Sequence, residues 1–287
     1  MEFLHDIFEY RYLANAVAAC LLSGITCGIA GTYVVARRTV SLCGGITHAS
    51  FGGLGIALYF GFNPILGALV FAVLSALGIE AVSSRAKIRE DSAIGIMWGI
   101  GMATGALFMS LRPGYASGDL SSFLFGNIIA VTDGDVAALG VVASLLLVGA
   151  LLWMRQVMYV AFDRDFARSA GIPTQMVSCA MAVITAVVIV LSIRIMGIVL
   201  LISLLTIPVV TVGFLTQSYG RVAVWSSVAA AAAGLCGLAV SYRFEIPSGP
   251  AIIFVLATAM AAVKFVVKPL LARLTAERGR QCSAEVR

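Results

Sequence analysis

Residues 136–154 read Val136-Ala137-Ala138-Leu139-Gly140-Val141-Val142-Ala143-Ser144-Leu145-Leu146-Leu147-Val148-Gly149-Ala150-Leu151-Leu152-Trp153-Met154, without one charged group. Crossing a hydrocarbon core of about 30 Å takes roughly 20 apolar residues coiled as a helix, which satisfies its own backbone N–H and C=O groups. The stretch has that length and character, and it is one of a series. Candidate spans cover residues 12–36, 45–60, 64–83, 92–112, 136–156, 174–194, 197–216, 222–241 and 249–267. Composition agrees: 61% of the 287 residues are hydrophobic, 11% are charged, and the mean hydropathy is +1.03. The fold class read from this is an all-α integral membrane protein, a polytopic bundle of about nine (eight or nine) transmembrane helices. No room remains for a separate soluble catalytic domain.

Orientation follows from basic residues, which are in excess in short cytoplasmic loops. With the C-terminus inside, only Arg11, Arg112, Arg194 and Arg243 of the 19 Lys and Arg residues lie on the other side. That split favours nine spans with the N-terminus outside. It also explains the net charge of +5 as loop and tail charge facing anionic lipid, without nucleic acid as a partner. The organisation expected is an amphipathic N-terminal segment at 1–11, a transmembrane domain at 12–267 and a basic cytoplasmic tail at 268–287. The first apolar run follows acidic Glu2, Asp6 and Glu9 and lacks a basic n-region, so it reads as a retained span rather than a signal peptide.

Six scattered cysteines, without a Cys-x-x-Cys pair, read as small apolar residues. Gly24-x-x-x-Gly28, Gly95-x-x-x-Gly99, Gly101-x-x-x-Gly105 and the run Ala229 to Gly234 read as places where helix backbones approach closely. Pro208 is expected to break or kink its span, and Pro247-Ser248-Gly249-Pro250 to make a rigid turn before the last one. Glu80 and Arg194 lie near span ends and read as snorkelling side chains.

The run Gly44-Gly45-Ile46-Thr47-His48-Ala49-Ser50-Phe51-Gly52-Gly53 places an ionisable ring inside an apolar helix. Intramembrane polar groups mark substrate or ion pathways, and neutral imidazole is a common ligand of divalent transition metals. His48 is therefore a candidate transient metal ligand, with Thr47 and Ser50 as weaker candidates. The opposing reading is a packing histidine satisfied by a neighbouring carbonyl. Residues 157–173 differ in kind. Phe162, Phe166 and Ala170 recur at helical spacing among charges, Asp163 can cap a start, and Gly171 with Pro173 marks an end. A short surface helix follows, lying on the membrane interface or docking a soluble partner.

These pieces together resemble the permease subunit of the ABC importers for zinc, manganese and iron, the ABC-3 family. That family carries a run of the type Ser-Leu-x-Gly-Asp-x-x-Ser-His-Ala. Here Arg37-Arg38-Thr39-Val40-Ser41-Leu42 is followed by Gly44-Gly45-Ile46-Thr47-His48-Ala49. In family order come Ala93-Ile94-Gly95-Ile96, Leu124-Phe125-Gly126-Asn127, the loop from Phe162-Asp163 to Ala170-Gly171-Ile172, Gly197-Ile198-Val199-Leu200-Leu201 running to Ile207-Pro208, and Pro247-Ser248-Gly249-Pro250. The likeness covers about residues 10–267.

The resemblance implies a type II ABC importer fold in the inner membrane of a bacterium, with a divalent metal ion as substrate and no stably bound cofactor. It implies that residues of about 163–171 form a cytoplasmic coupling helix, with Asp163, Arg164, Phe166, Arg168 and Gly171 docking an ATP-binding subunit. His48 matches the family histidine, while the family aspartate falls on Gly44. Further partners implied are a second permease copy and a periplasmic or lipid-anchored metal-binding protein. ATP would be bound by the partner, since no Gly-x-x-x-x-Gly-Lys-[Ser/Thr] run is present. Nor do hydrolase motifs support an enzyme. The alternatives are an ABC permease for a metal chelate or corrinoid, and an ion-coupled secondary transporter.

Overall fold

The computed structural model describes residues 6–7, 9–85, 89–111, 126 and 128–270. The expected features at Leu124, Phe125 and Asn127, and the tail beyond Leu270, lie outside the described residues. The chain forms α1 (Arg11–Ala36), α2 (Val40–Phe60), α3 (Pro64–Arg85), α4 (Glu90–Ser110), α5 (Asp133–Phe162), the short α6 (Arg164–Ser169), α7 (Thr174–Gly213), α8 (Tyr219–Phe244) and α9 (Ser248–Ala262). A 3-10 turn, Ile128–Ala130, precedes α5, and a π-helical turn, Val263–Val267, extends α9. Among the described residues eight helices are long and apolar enough to cross a membrane.

A straight helix of the 40 residues in α7 would run about 60 Å, twice the hydrocarbon thickness of about 30 Å. It does not run straight. Gly197, with φ 77° and ψ 167°, leaves helical geometry and divides α7 into two arms. Side-chain pairings show where the arms go. Ser178, early in the first arm, bonds Arg164 of α6, and Arg194, near its end, pairs with Asp135 at the start of α5. In the second arm Val209 and Val212 pack with Val35 near the end of α1 and Val222 near the start of α8. The second arm therefore returns to the α6 end of the bundle, so the two arms correspond to the apolar segments 174–194 and 197–216 of the sequence. The break expected at Pro208 is not there. The backbone stays helical through Pro208.

The two ends are each tied together. At the α6 end Arg37, Glu80, Arg164 and Ser178 are joined, Phe162 meets Tyr219 edge-on, and Lys264 and Lys268 lie over the Phe214 ring. At the Gly197 end Asp133 accepts from Arg11 and from Asn15, and Arg194 pairs with Asp135 at 2.8 Å. Arg194 is thus an ion-paired residue rather than a snorkelling one.

Lipid tails are as apolar as leucine, so large apolar side chains face outward as well as inward. On α5 Leu145, Leu151 and Leu152 point outward while Leu139 and Leu146 join the buried apolar cluster, and the closest helix contacts fall on small residues. Gly24 and Gly28 of α1 lie against Ala231 and Ser227 of α8, and Gly101 and Gly105 lie against Ala49 and Phe51 of α2. Gly95 and Gly99 do not share this role, because open space lies where their side chains would be. Helix α2 is the most crowded, with Gly53 facing the Gly67 carbonyl of α3 and Gly52 facing Gly101 of α4. A Cβ at Gly53 would collide with backbone. Gly53→Ala is expected to destabilise the bundle by about 1–3 kcal/mol, the usual range for overpacking, read as a lower melting temperature in detergent; an unchanged melting curve would contradict this packing.

Candidate functional site

The turn that enters α2 is tight. Arg37 ends α1, Arg38 takes a left-handed φ of 61°, and the helix resumes at Val40. Two turns on, His48 projects toward α4, where its ring lies flat on the indole of Trp98, with centroids 4.1 Å apart and planes 11° from parallel. Nδ1 of His48 is buried and has no hydrogen-bond partner. No carbonyl holds the ring at that nitrogen; it packs on Trp98. Thr47 Oγ1 is likewise buried and unpaired, whereas Ser50 Oγ donates to the Thr47 carbonyl at 2.6 Å and is occupied.

Gly44 lies one helical turn before His48, under the same indole. A Cβ there would sit 3.5 Å from a Trp98 ring carbon, an ordinary contact. Gly44, His48 and Trp98 thus share one face between α2 and α4. The Trp98 side is open, since this tryptophan is 42% exposed. Among the described residues no three His, Cys, Asp or Glu side chains converge in a metal-holding group. What the face offers is one imidazole, an aromatic plate and unpaired polar atoms, which suits brief contact with a cation better than storage.

At the α6 end, Asp163 caps α6 by accepting from the N–H groups of Asp165 and Phe166, and Gly171, with φ 79°, lies just beyond its end. Ala167 turns to the bundle and is fully buried, while Phe166 is 54% exposed and meets Tyr159 edge-on. Arg168 is exposed. Arg164 behaves differently from its neighbours on α6, because its guanidinium turns back to Glu80 and Ser178.

This arrangement can be set beside known proteins. A profile described as the ABC 3 transport family matches residues 9–267. The chain belongs to the ABC 3 transport family. Among its relatives, the manganese transport system membrane protein MntC of Halalkalibacterium halodurans is 31% identical over 264 residues, covering 92% of this chain and 90% of that one. A probable metal transport system membrane protein of Chlamydia pneumoniae is 32% identical over 255 residues, covering 87% of each. The solved structure of PsaBC from Streptococcus pneumoniae in complex with Fab superposes with a TM-score of 0.83 at 26% identity, over 96% of this chain and 99% of that one. The family fold accounts for a helical bundle without strands among the described residues.

Sequence reasoning missed two partners at these sites. Trp98 gave no signal, because a tryptophan in an apolar span reads as a lipid anchor. Glu80 read as a snorkelling side chain, yet it is 4% exposed, with Arg37 Nη2 at 2.9 Å from Oε2 and Arg164 bonded to Oε1. A clue was available: an acidic residue late in a span, with arginines just past the ends of two others.

Proposed function

We propose that the chain is the membrane-spanning permease subunit of an ATP-driven importer of divalent transition-metal ions. Two copies form the path, a separate ATP-binding subunit hydrolyses ATP, and a periplasmic or lipid-anchored binding protein delivers the ion from outside. The reading places the protein in the inner membrane of a bacterium, with α6 and the C-terminus in the cytoplasm. Manganese and metal transport in the relatives' names support the substrate class. The observation that carries it is His48, an imidazole within a membrane helix whose buried Nδ1 is unpaired and whose ring lies stacked on Trp98. Firm metal sites fix the ligand through its other ring nitrogen, and a transport site must bind weakly enough to release. On α6, Phe166 and Arg168 form the surface offered to the ATP-binding subunit, with Asp163 and Gly171 setting the helix ends and Arg164 facing the bundle.

Proteoliposomes holding the permease with its ATP-binding subunit and binding protein test this directly. Uptake of bare manganese, zinc or iron ions should require ATP and persist when ion gradients are collapsed. Transport of a metal chelate in preference to bare ions would favour the chelate permease, and gradient-driven uptake without ATP a secondary transporter.

A further inference from the structure

Among the described residues, Glu80 is the single charged side chain in the buried interior, and the transport reading leaves it without a task. A carboxylate in such a position is costly unless paired, and a buried ion pair is seldom the cheapest route to stability, since apolar replacements of similar volume are often as stable or more so. Its value must lie in what it connects. One oxygen accepts from Arg164, the first residue of α6, whose Nη2 also donates to Ser178 of α7 at 2.6 Å. The other accepts from Arg37 Nη2 at 2.9 Å, and Arg37 Nη1 donates to Tyr33 at 3.0 Å. Arg37 ends α1, and the strained Arg38 and the start of α2 follow at once. A single carboxylate therefore binds α6 to α3 and to the turn that aims the His48 helix.

We infer that Glu80 is a positioning residue that transmits movement of α6 to α1, α3 and, through the Arg37–Arg38 turn, to α2. The inference rests on the proposed role of α6 as the docking helix. Fully exposed ion pairs slip and are screened by water, whereas the buried Glu80 carboxylate is gripped by two guanidiniums, that of the nearly buried Arg37 and that of Arg164, whose side chain is 37% exposed. Displacement of α6 is then passed on as displacement of α1 and α3. Without the joint, α6 can follow the ATP-binding subunit while the path stays still.

The test is the number of metal ions moved per ATP hydrolysed in the reconstituted complex, a ratio that a lower yield of folded protein does not change. Glu80→Gln keeps the shape and removes the charge. Arg164→Gln cuts the bonds from α6 to Glu80 and to Ser178 and leaves the Glu80–Arg37 pair in place, so it decides the matter if the first variant does not reach the membrane. Both are expected to lower the ratio at least about tenfold, and Arg164→Lys, which keeps one charged donor, to restore part of it. An unchanged ratio in Arg164→Gln overturns the joint, because a purely structural pair would reduce uptake and hydrolysis together. A wild-type complex that hydrolyses ATP without moving metal overturns the functional reading itself.

Discussion

Replacing Phe166 with aspartate is expected to abolish ATP-driven transport while leaving the permease folded in the membrane. Phe166 is more than half exposed on α6, while Ala167 beside it supplies the contact with the bundle. The substitution therefore costs the isolated chain little. In the complex it would carry a carboxylate into an apolar contact, and an unpaired buried ion costs several kcal/mol even after relaxation. Each 1.4 kcal/mol is tenfold in affinity, so association with the ATP-binding subunit should fall by more than about tenfold, and transport with it. Phe166→Leu, which keeps the apolar surface, should retain both. Copurification of the two subunits and ATP-driven uptake are the measurements. If Phe166→Asp copurifies and transports as wild type does, α6 is not the docking element and lies on the membrane interface instead.

Features set by local chemistry were readable in the sequence. The apolar segments reappear as long helices because a span is a property of consecutive residues. The limits of α6 followed from an acceptor at Asp163, which meets the orphan N–H groups of Asp165 and Phe166, and from a left-handed glycine at 171. Features made by contact between distant segments were not readable. The turn between the arms of α7 falls on Gly197 rather than on Pro208, because a glycine amid apolar residues carries no mark of positive φ, whereas a proline looks like a break even where the helix absorbs it. Glycine pairs show the same limit: Gly101 and Gly105 lie against α2 while Gly95 and Gly99 of the same helix face open space. Spacing places small residues on one helix face and does not say what that face meets. For the same reason Glu80 read as a snorkelling charge, Arg37 as part of the run before the His48 motif and Arg164 as part of a docking surface, with nothing in the sequence to join them.

The substitution of an imidazole-only face by an imidazole and carboxylate pair gives the second large effect. His48→Ala should reduce metal uptake at least about tenfold per folded permease, since it removes the one metal-ligating side chain that α2 presents beneath Trp98. Gly44→Asp should act in the opposite sense on binding. Space exists for its Cβ beside the indole, and residues four apart lie on one helix face, so the new carboxylate joins His48 as a hard oxygen donor and adds negative charge. Tighter capture slows release, and transport at saturating metal should fall although affinity rises. Without metal the carboxylate is an unpaired charge at membrane depth and lowers the melting temperature. Added manganese or zinc then binds only the folded state and restores it, by about 2.7 kcal/mol when the ion is at 100 times its dissociation constant. Metal-dependent melting of wild type, His48→Ala and Gly44→Asp in detergent, together with uptake normalised to protein in the membrane, checks each step. Full uptake in His48→Ala, with no metal-dependent stabilisation of Gly44→Asp, would move the ion path away from the face that α2 shares with Trp98.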